Sequence, residues 1–281
     1  MLIRFWGVHG SLPRPGPSTL KYGGNTACVE VRCPDALIIF DAGSGIRELG
    51  EHLLRQQRDC SQTGGLIRAH LFFSHLHWDH VQGFPFFGPV YQPGNEFHLY
   101  GASCLDVTVQ RIMSDQMRRP NFPVAFEELA SSISFHDLVP GDRLTIDGVT
   151  VRTAGLNHPD GSLGYRLEDQ NGRTVIYASD TDYCRDVDPK MLDLARDADV
   201  LICDSMFTPE QYLGLSDDLS RETWGHSTWE GAVKFALAAN TKQLVLFHHG
   251  NDDRVVEQIE AKARERFPHT VAAYEGLEIE L

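Results

Sequence analysis

Apolar and polar residues alternate through LIRFWGV at the start of the chain and again through ACVEVRC, which predicts two half-buried strands. ALIIFDAG is a continuous apolar run that ends in an acidic turn, and IRAHLFF is a second buried strand that leads into the polar loop SHLHWDH. Between them, Ile46, Leu49, Leu53 and Leu54 recur at helical spacing in IRELGEHLLRQQ. GSLPRPGPSTLKYGGNT is rich in Gly, Pro, Ser and Thr and reads as a loop. From about 82 to 130 the pattern is irregular. FPFFGPVYQPGNEF is aromatic and Pro/Gly-rich, and LDVTVQRIMSDQM can form a helix. Short strands follow in SSISFHDL, RLTIDG, VTVRTAG, SLGYRLED and RTVIYASD, with NGR at 171–173 as a hairpin turn. The last third alternates: ADVLICDS strand, STWEGAVKFALAAN helix, KQLVLFHH strand, DDRVVEQIEAKARERF helix, EGLEIEL strand. Strands first and α/β alternation afterwards suit two sheets sandwiched between outer helices, as one domain over 1–281.

Composition narrows the function classes. With 42% apolar and 23% charged residues, the 281-residue chain has the balance of a globular protein with a real core. No apolar run approaches the ~20 residues that span a bilayer. MLIRFWGVHGSLP has no apolar export region or small-residue cleavage site, so a cytoplasmic location and no membrane are expected. The six cysteines (Cys28, Cys33, Cys60, Cys104, Cys184, Cys203) are scattered with no CxxC pair, which predicts free thiols and no cysteine zinc knuckle. A net charge of −14 is a poor platform for polyanions, and Arg118–Arg119 is a pair and not a stripe. The thirteen histidines are partly clustered, which points to metal.

The decisive cluster is Ser74-His75-Leu76-His77-Trp78-Asp79-His80, directly after an apolar strand. On a strand-to-loop turn, His75 and His77 can point one way and Asp79 and His80 to a second point, a spacing for two adjacent metals. This HxHxDH resembles the metallo-β-lactamase superfamily, whose other motifs follow in order. The resemblance implies an αββα sandwich, two mixed β-sheets flanked by helices. It makes Asp41 in FDAG a support for the cradle, and it joins His158 in LNHPDG to His75 and His77 at one metal. It makes Asp180 in YASDTD the acid shared by both metals, and His248 in LVLFHHG the partner of Asp79 and His80 at the other. Asp182 is the alternative to Asp180, and His249 to His248. The implied cofactors are two Zn²⁺, with Mn²⁺ or Fe²⁺ able to use the same ligands. Metals ~3.5–4 Å apart would share a hydroxide nucleophile.

Trp224-Gly225-His226-Ser227-Thr228 precedes a helix whose N-cap is Ser227 or Thr228. It resembles ribonuclease Z and its phosphodiesterase relatives, in which this His faces the scissile phosphate and an upstream acid orients it. That resemblance implies a catalytic set of His226 as general acid, Asp204 as its partner, and Asp79. The N-terminal GSLP…GGNTACVEV and the HWDHVQGFPFF segment are similar to the same branch. They nominate Asn25, Thr26, Phe87 and His226 as substrate contacts, although a tight turn explains GGN equally well, and aromatics beside prolines can be core or homodimer contacts. The acidic balance, and the absence of the inserted basic arm with which ribonuclease Z grips tRNA, make tRNA an unexpected partner. The resulting expectation is a phosphodiesterase for small cyclic phosphodiesters, a cyclic nucleotide or phosphoribosyl cyclic phosphate, acting as a homodimer. Thioester or lactone hydrolysis, and a nucleotide sensor without turnover, are the alternatives.

Overall fold

Residues 1–59, 65–103, 107–184 and 187–281 are described in the computed structural model. Cys60 and Cys104, and Leu105 and Asp106 at the head of the predicted middle helix, lie outside the described residues. The first half runs β1 (Leu2–Gly7), β2 (Cys28–Arg32), β3 (Leu37–Phe40), α1 (Ile46–Asp59), β4 (Arg68–Phe72), α2 (Trp78–Val81), β5 (Glu96–Gly101), α3 (Val109–Gln116) and β6 (Ser132–Asp137). The second half runs β7 (Arg143–Ile146), β8 (Val149–Leu156), β9 (Ser162–Glu168), β10 (Thr174–Ala178), α4 (Pro189–Ala195) and β11 (Val200–Asp204). It closes with α5 (Pro209–Tyr212), α6 (Trp229–Ala238), β12 (Gln243–Phe247), α7 (Asp253–Arg266), β13 (Thr270–Ala272) and β14 (Glu278–Glu280).

Two seven-stranded sheets result, ordered β14-β1-β2-β3-β4-β5-β6 and β13-β12-β11-β10-β9-β8-β7. Each is mixed: β3 to β6 and β10 to β13 run parallel, while the remaining neighbours are antiparallel. Aromatic side chains bind the inner faces together. Phe40 stacks on Tyr177 at 4.6 Å, Phe72 meets Tyr165 edge-on at 5.3 Å, and Phe5 meets Phe247 at 6.0 Å. Each such fully buried ring contributes roughly 1.5–3 kcal/mol by leaving water. The outer face of the first sheet packs on α1 through Ile46, Leu49 and Leu53, and that of the second on α4, α6 and α7. This is the expected helix–sheet–sheet–helix sandwich.

Five elements escape the pattern of the sequence: β5, α4 and β13, and the single-turn helices α2 and α5. β5 is a central strand, with Phe97 and Leu99 buried, hidden behind a Pro/Gly-rich approach. α4 has a local signal, the Asp188 side chain capping Lys190 N–H with Pro189 in the first turn. β13 has only three residues. The aromatic stretch at 84–100, expected as a dimer patch, is mostly interior. Phe84, Phe87, Val90 and Phe97 are fully buried, and Phe86 alone of its phenylalanines is exposed. Phe87 packs edge-on against Phe97 at 5.4 Å, so it has no face left for a substrate, and that expectation is corrected.

Candidate metal centre

Because β3 and β4 run parallel, as do β10, β11 and β12, their C-terminal ends can share one edge of the sandwich. Asp41 follows β3, the His75–His80 loop follows β4, Asp180 follows β10, Asp204 ends β11, and His248 follows β12. Three of these residues leave their strands in the left-handed region, Asp41 at φ 58°, Asp180 at 49° and His248 at 59°. Such conformations cost on the order of 1–3 kcal/mol each and persist where the surroundings impose them. No periodicity in the sequence announces them.

Among the described residues three groups of potential ligands form, the third of them (Asp180, Asp204, His226 and His248) sharing two residues with the second. His75, His77 and His158 make the first; Asp79, His80, Asp180 and His248 make the second, all four buried. His158 Nε2 approaches His77 Nδ1 at 3.0 Å. Asp180 stands between the clusters with one oxygen toward each. Its Oδ2 lies 3.6 Å from His75 Nε2 and 3.9 Å from His158 Nε2, and its Oδ1 lies 3.3 Å from His80 Nε2 and 3.2 Å from His248 Nε2. Asp79 Oδ2 completes the second cluster, 3.2 Å from His248 Nε2 and 3.4 Å from His80 Nε2. The rivals point elsewhere. Asp182 accepts from the Tyr212 hydroxyl (2.7 Å) and Cys184 N–H (2.8 Å), and His249 Nε2 donates to the Ala273 carbonyl (2.9 Å).

The donor set fits a divalent metal. Buried Nε2 atoms of His75 and His80 have no hydrogen-bond partner, while their Nδ1 atoms are held from behind. His80 Nδ1 donates to Asp41 Oδ2 (2.8 Å), His158 Nδ1 to the Gly225 carbonyl (2.8 Å), and His75 Nδ1 to Ser74 Oγ (3.1 Å). This fixes the tautomer that leaves the inward nitrogen as a lone pair. Asp41 is in turn held by the Ser74 N–H and hydroxyl (both 2.8 Å) and the Tyr177 hydroxyl (2.6 Å), a support the sequence reading assigned only in outline. Electrostatics agree. Despite burial, Asp79 and Asp180 sit well below the usual carboxylate range because His80 and His248 face them. Burial pushes His75 far down; it also opposes charge on His80, but Asp180, Asp79 and Asp41 outweigh it and raise that imidazole well above its ordinary value.

Beside the second cluster, His226 Nδ1 donates to Asp204 Oδ2 at 2.7 Å and lies 3.9 Å from Asp180 Oδ2. Asp204 is fully buried and is fixed by the backbone N–H groups of Met206 (3.0 Å) and Ser227 (3.2 Å). Burial lowers the His226 pKa, but the charge and hydrogen bond of Asp204 prevail and lift it to about 9 in the metal-free chain. Thr228 is the N-cap of α6, accepting from Gly231 N–H at 3.2 Å.

The N-terminal loop enters differently from expectation. Thr26 is fully buried and exchanges hydrogen bonds with Ser44 (3.0 and 2.8 Å), so it is a brace and not a substrate contact. Asn25 is half-buried and committed to Glu275 and Ser44. What reaches the centre is Ser11, whose N–H donates to Asp79 Oδ2 at 2.7 Å. Beside it, a Cβ on Gly10 would sit 2.5 Å from His248 Cε1, so only glycine lets the loop pass. Gly10→Ala is therefore expected to turn His248 and weaken metal binding by about 10–100-fold, as loss of a supporting contact does. Metal titration followed by mass spectrometry of the folded variant reads this; wild-type affinity would refute it.

The chain matches the family described as Beta-lactamase superfamily domain over residues 37–249. It is 24% identical to Ribonuclease Z of Acaryochloris marina, covering 99% of this chain and 96% of that protein. The metallo-β-lactamase fold protein YhfI of Bacillus subtilis superposes with a TM-score of 0.70 at 18% identity, over 100% of this chain and 98% of the other. The short form of human tRNase Z does so at 0.67 and 21%, over 100% and 99%. These likenesses overturn the expectation that tRNA is an unfitting partner and that the substrate is a small phosphodiester. Net charge sums the whole surface and does not describe one mouth, and a relative named for ribonuclease action aligns along nearly the full chain. Most of the chain lies within the family match and carries the paired His/Asp clusters, so the protein belongs to the β-lactamase superfamily and is a metal-dependent hydrolase of that fold.

Proposed function

We propose that this hydrolase is a phosphodiesterase that cleaves RNA, with two divalent ions in the cradle and His226 as the general acid. The observation that carries the reading is the buried Asp204–His226 pair, 2.7 Å apart, beside the carboxylate that faces both ligand clusters. Thioester hydrolysis expels a thiolate that needs little help, whereas a ribose oxygen leaves poorly without a proton. Two divalent ions would supply a nucleophilic water near neutral pH and neutralise charge developing on the phosphoryl oxygens.

The chain's own residues do the rest. His75, His77 and His158 would hold one ion and Asp79, His80 and His248 the other, with Asp180 placed between the two groups. Asp204 binds His226 Nδ1–H, which keeps the ring oriented and its Nε2 proton available for the leaving oxygen. His-rich ligation favours Zn²⁺, and the same donors accept Mn²⁺ or Fe²⁺. The four described cysteines are free thiols, which supports a reducing, cytoplasmic setting.

The test is metal analysis coupled to hydrolysis of bis-p-nitrophenyl phosphate. About two metal equivalents and chelator-sensitive turnover are expected; a loaded protein inert toward phosphodiesters would overturn the proposal. Metal uptake should also release protons. The carboxylates around His80 favour its protonated form, and an imidazole must be neutral at the binding nitrogen to act as a ligand. Affinity therefore rises with pH until His80 is neutral without metal. Calorimetric titration in two buffers of different ionisation enthalpy measures the released protons, and identical heats would contradict the assignment.

A further inference from the structure

Trp224 is 45% exposed, yet it is built into place. The Arg221 guanidinium lies 5.4 Å from the Trp224 ring and 5.6 Å from Phe207. Arg221 is itself locked by Asp217 and by the carbonyls of Gln211 (2.9 Å) and Leu219 (2.8 Å). Phe207 meets Trp224 edge-on at 6.1 Å and meets His226 edge-on at 6.0 Å. The Trp224 N–H donates to the Arg221 carbonyl at 3.0 Å, and the next residue, Gly225, receives His158 Nδ1. A chain of packed groups thus runs from Arg221 through Trp224 and Phe207 to His226 itself. Trp78, between His77 and Asp79, is 59% exposed.

A large indole kept half in water costs hydrophobic burial, and here its position is fixed by a cation, a ring and backbone hydrogen bonds. What it presents is a rigid aromatic surface two residues from the proposed general acid. Stacking on such a face supplies affinity for an unpaired base without any phosphate contact. We infer that Trp224 is a stacking platform for an unpaired nucleobase of the substrate, on the side of the scissile phosphate that His226 protonates. This rests on the phosphodiesterase reading and narrows it, because the strand must be single there and must carry a base next to the cleaved bond. Base–aromatic stacking is sequence-tolerant, so any of the four bases should serve.

The test crosses a protein change with a substrate change. A short single-stranded RNA is compared with versions abasic at each nucleotide flanking the cleaved bond, for wild type, Trp224→Ala and Trp224→Phe. Trp224→Ala is expected to raise KM about 10-fold on the intact RNA, much more than it changes kcat. The preference for intact over abasic RNA should collapse toward one at a single flanking position, and Trp224→Phe should restore most of it. Equal losses on intact and abasic substrates, or a loss confined to kcat, would overturn the platform. In parallel, affinity for oligoadenylate is measured with metal-free protein, where no cleavage occurs. Weaker binding by Trp224→Ala supports the platform even if no phosphodiester is ever cleaved, and equal binding refutes it. Failure of the reaction and failure of the platform are thereby told apart.

Discussion

Replacing His226 with alanine should lower kcat by about 10²–10⁴-fold while the protein keeps its metal. The ring lies beside the groups that hold His75 and His80, sharing a further potential-ligand group with Asp180, Asp204 and His248, but its Nδ1 is taken by Asp204 at 2.7 Å. On the proposed reading its remaining nitrogen carries a proton to the leaving oxygen. The loss should therefore scale with leaving-group basicity. It should be large on RNA, whose ribose oxygen leaves as a strong base, and small on p-nitrophenyl esters, whose phenolate leaves without help. Asp204→Asn should fall in the same direction by a smaller factor, because an amide still touches the ring but no longer holds it charged. Single-turnover rates on both substrates, with metal content measured on the same samples, check this. An equal loss on both substrates would assign His226 a structural role instead.

Asp180→Asn should be the most damaging change to metal binding. Its two oxygens face different clusters, with His75 at 3.6 Å on one side and His248 at 3.2 Å on the other. An amide retains one weak oxygen donor and no charge. Metal affinity should fall by well over the ~10–100-fold that an outer support is worth, and turnover should fall with it. Asparagine is the right replacement because residue 180 sits at φ 49°, a region that Asn and Asp tolerate better than other side chains. A loss of activity thus reports the missing charge and not a strained backbone. Metal stoichiometry by mass spectrometry decides the matter: two tightly held equivalents in the variant would remove Asp180 from its bridging place.

The sequence reached this centre unevenly. HxHxDH is legible because its ligands are four residues within a span of six and follow an apolar strand, so one local pattern carries both the fold and the chemistry. His158, Asp180 and His248 are single residues whose meaning comes from the motif order, and their neighbours Asp182 and His249 are equally plausible on composition. What favours Asp180 and His248 in the sequence is that each directly follows an apolar strand, and the structure adds a left-handed turn at both, which no hydropathy pattern encodes. Ser11 and Gly10 were invisible for a related reason. One acts through a backbone N–H and the other through the absence of a side chain. Thr26 and Phe87 misled because their residue types suit a ligand, while burial commits them to Ser44 and Phe97. Net charge misled about tRNA because it averages over the whole surface, while a relative named Ribonuclease Z aligns along nearly the full chain.

The most direct test of the whole account sets two reactions side by side for the zinc-loaded protein. One substrate is a tRNA transcript extended at both ends; the other is an acyl thioester panel. Cleavage of the transcript, abolished by chelator and restored by metal, with the thioesters left intact, is the predicted result. Rapid thioester turnover with the transcript uncut would contradict it.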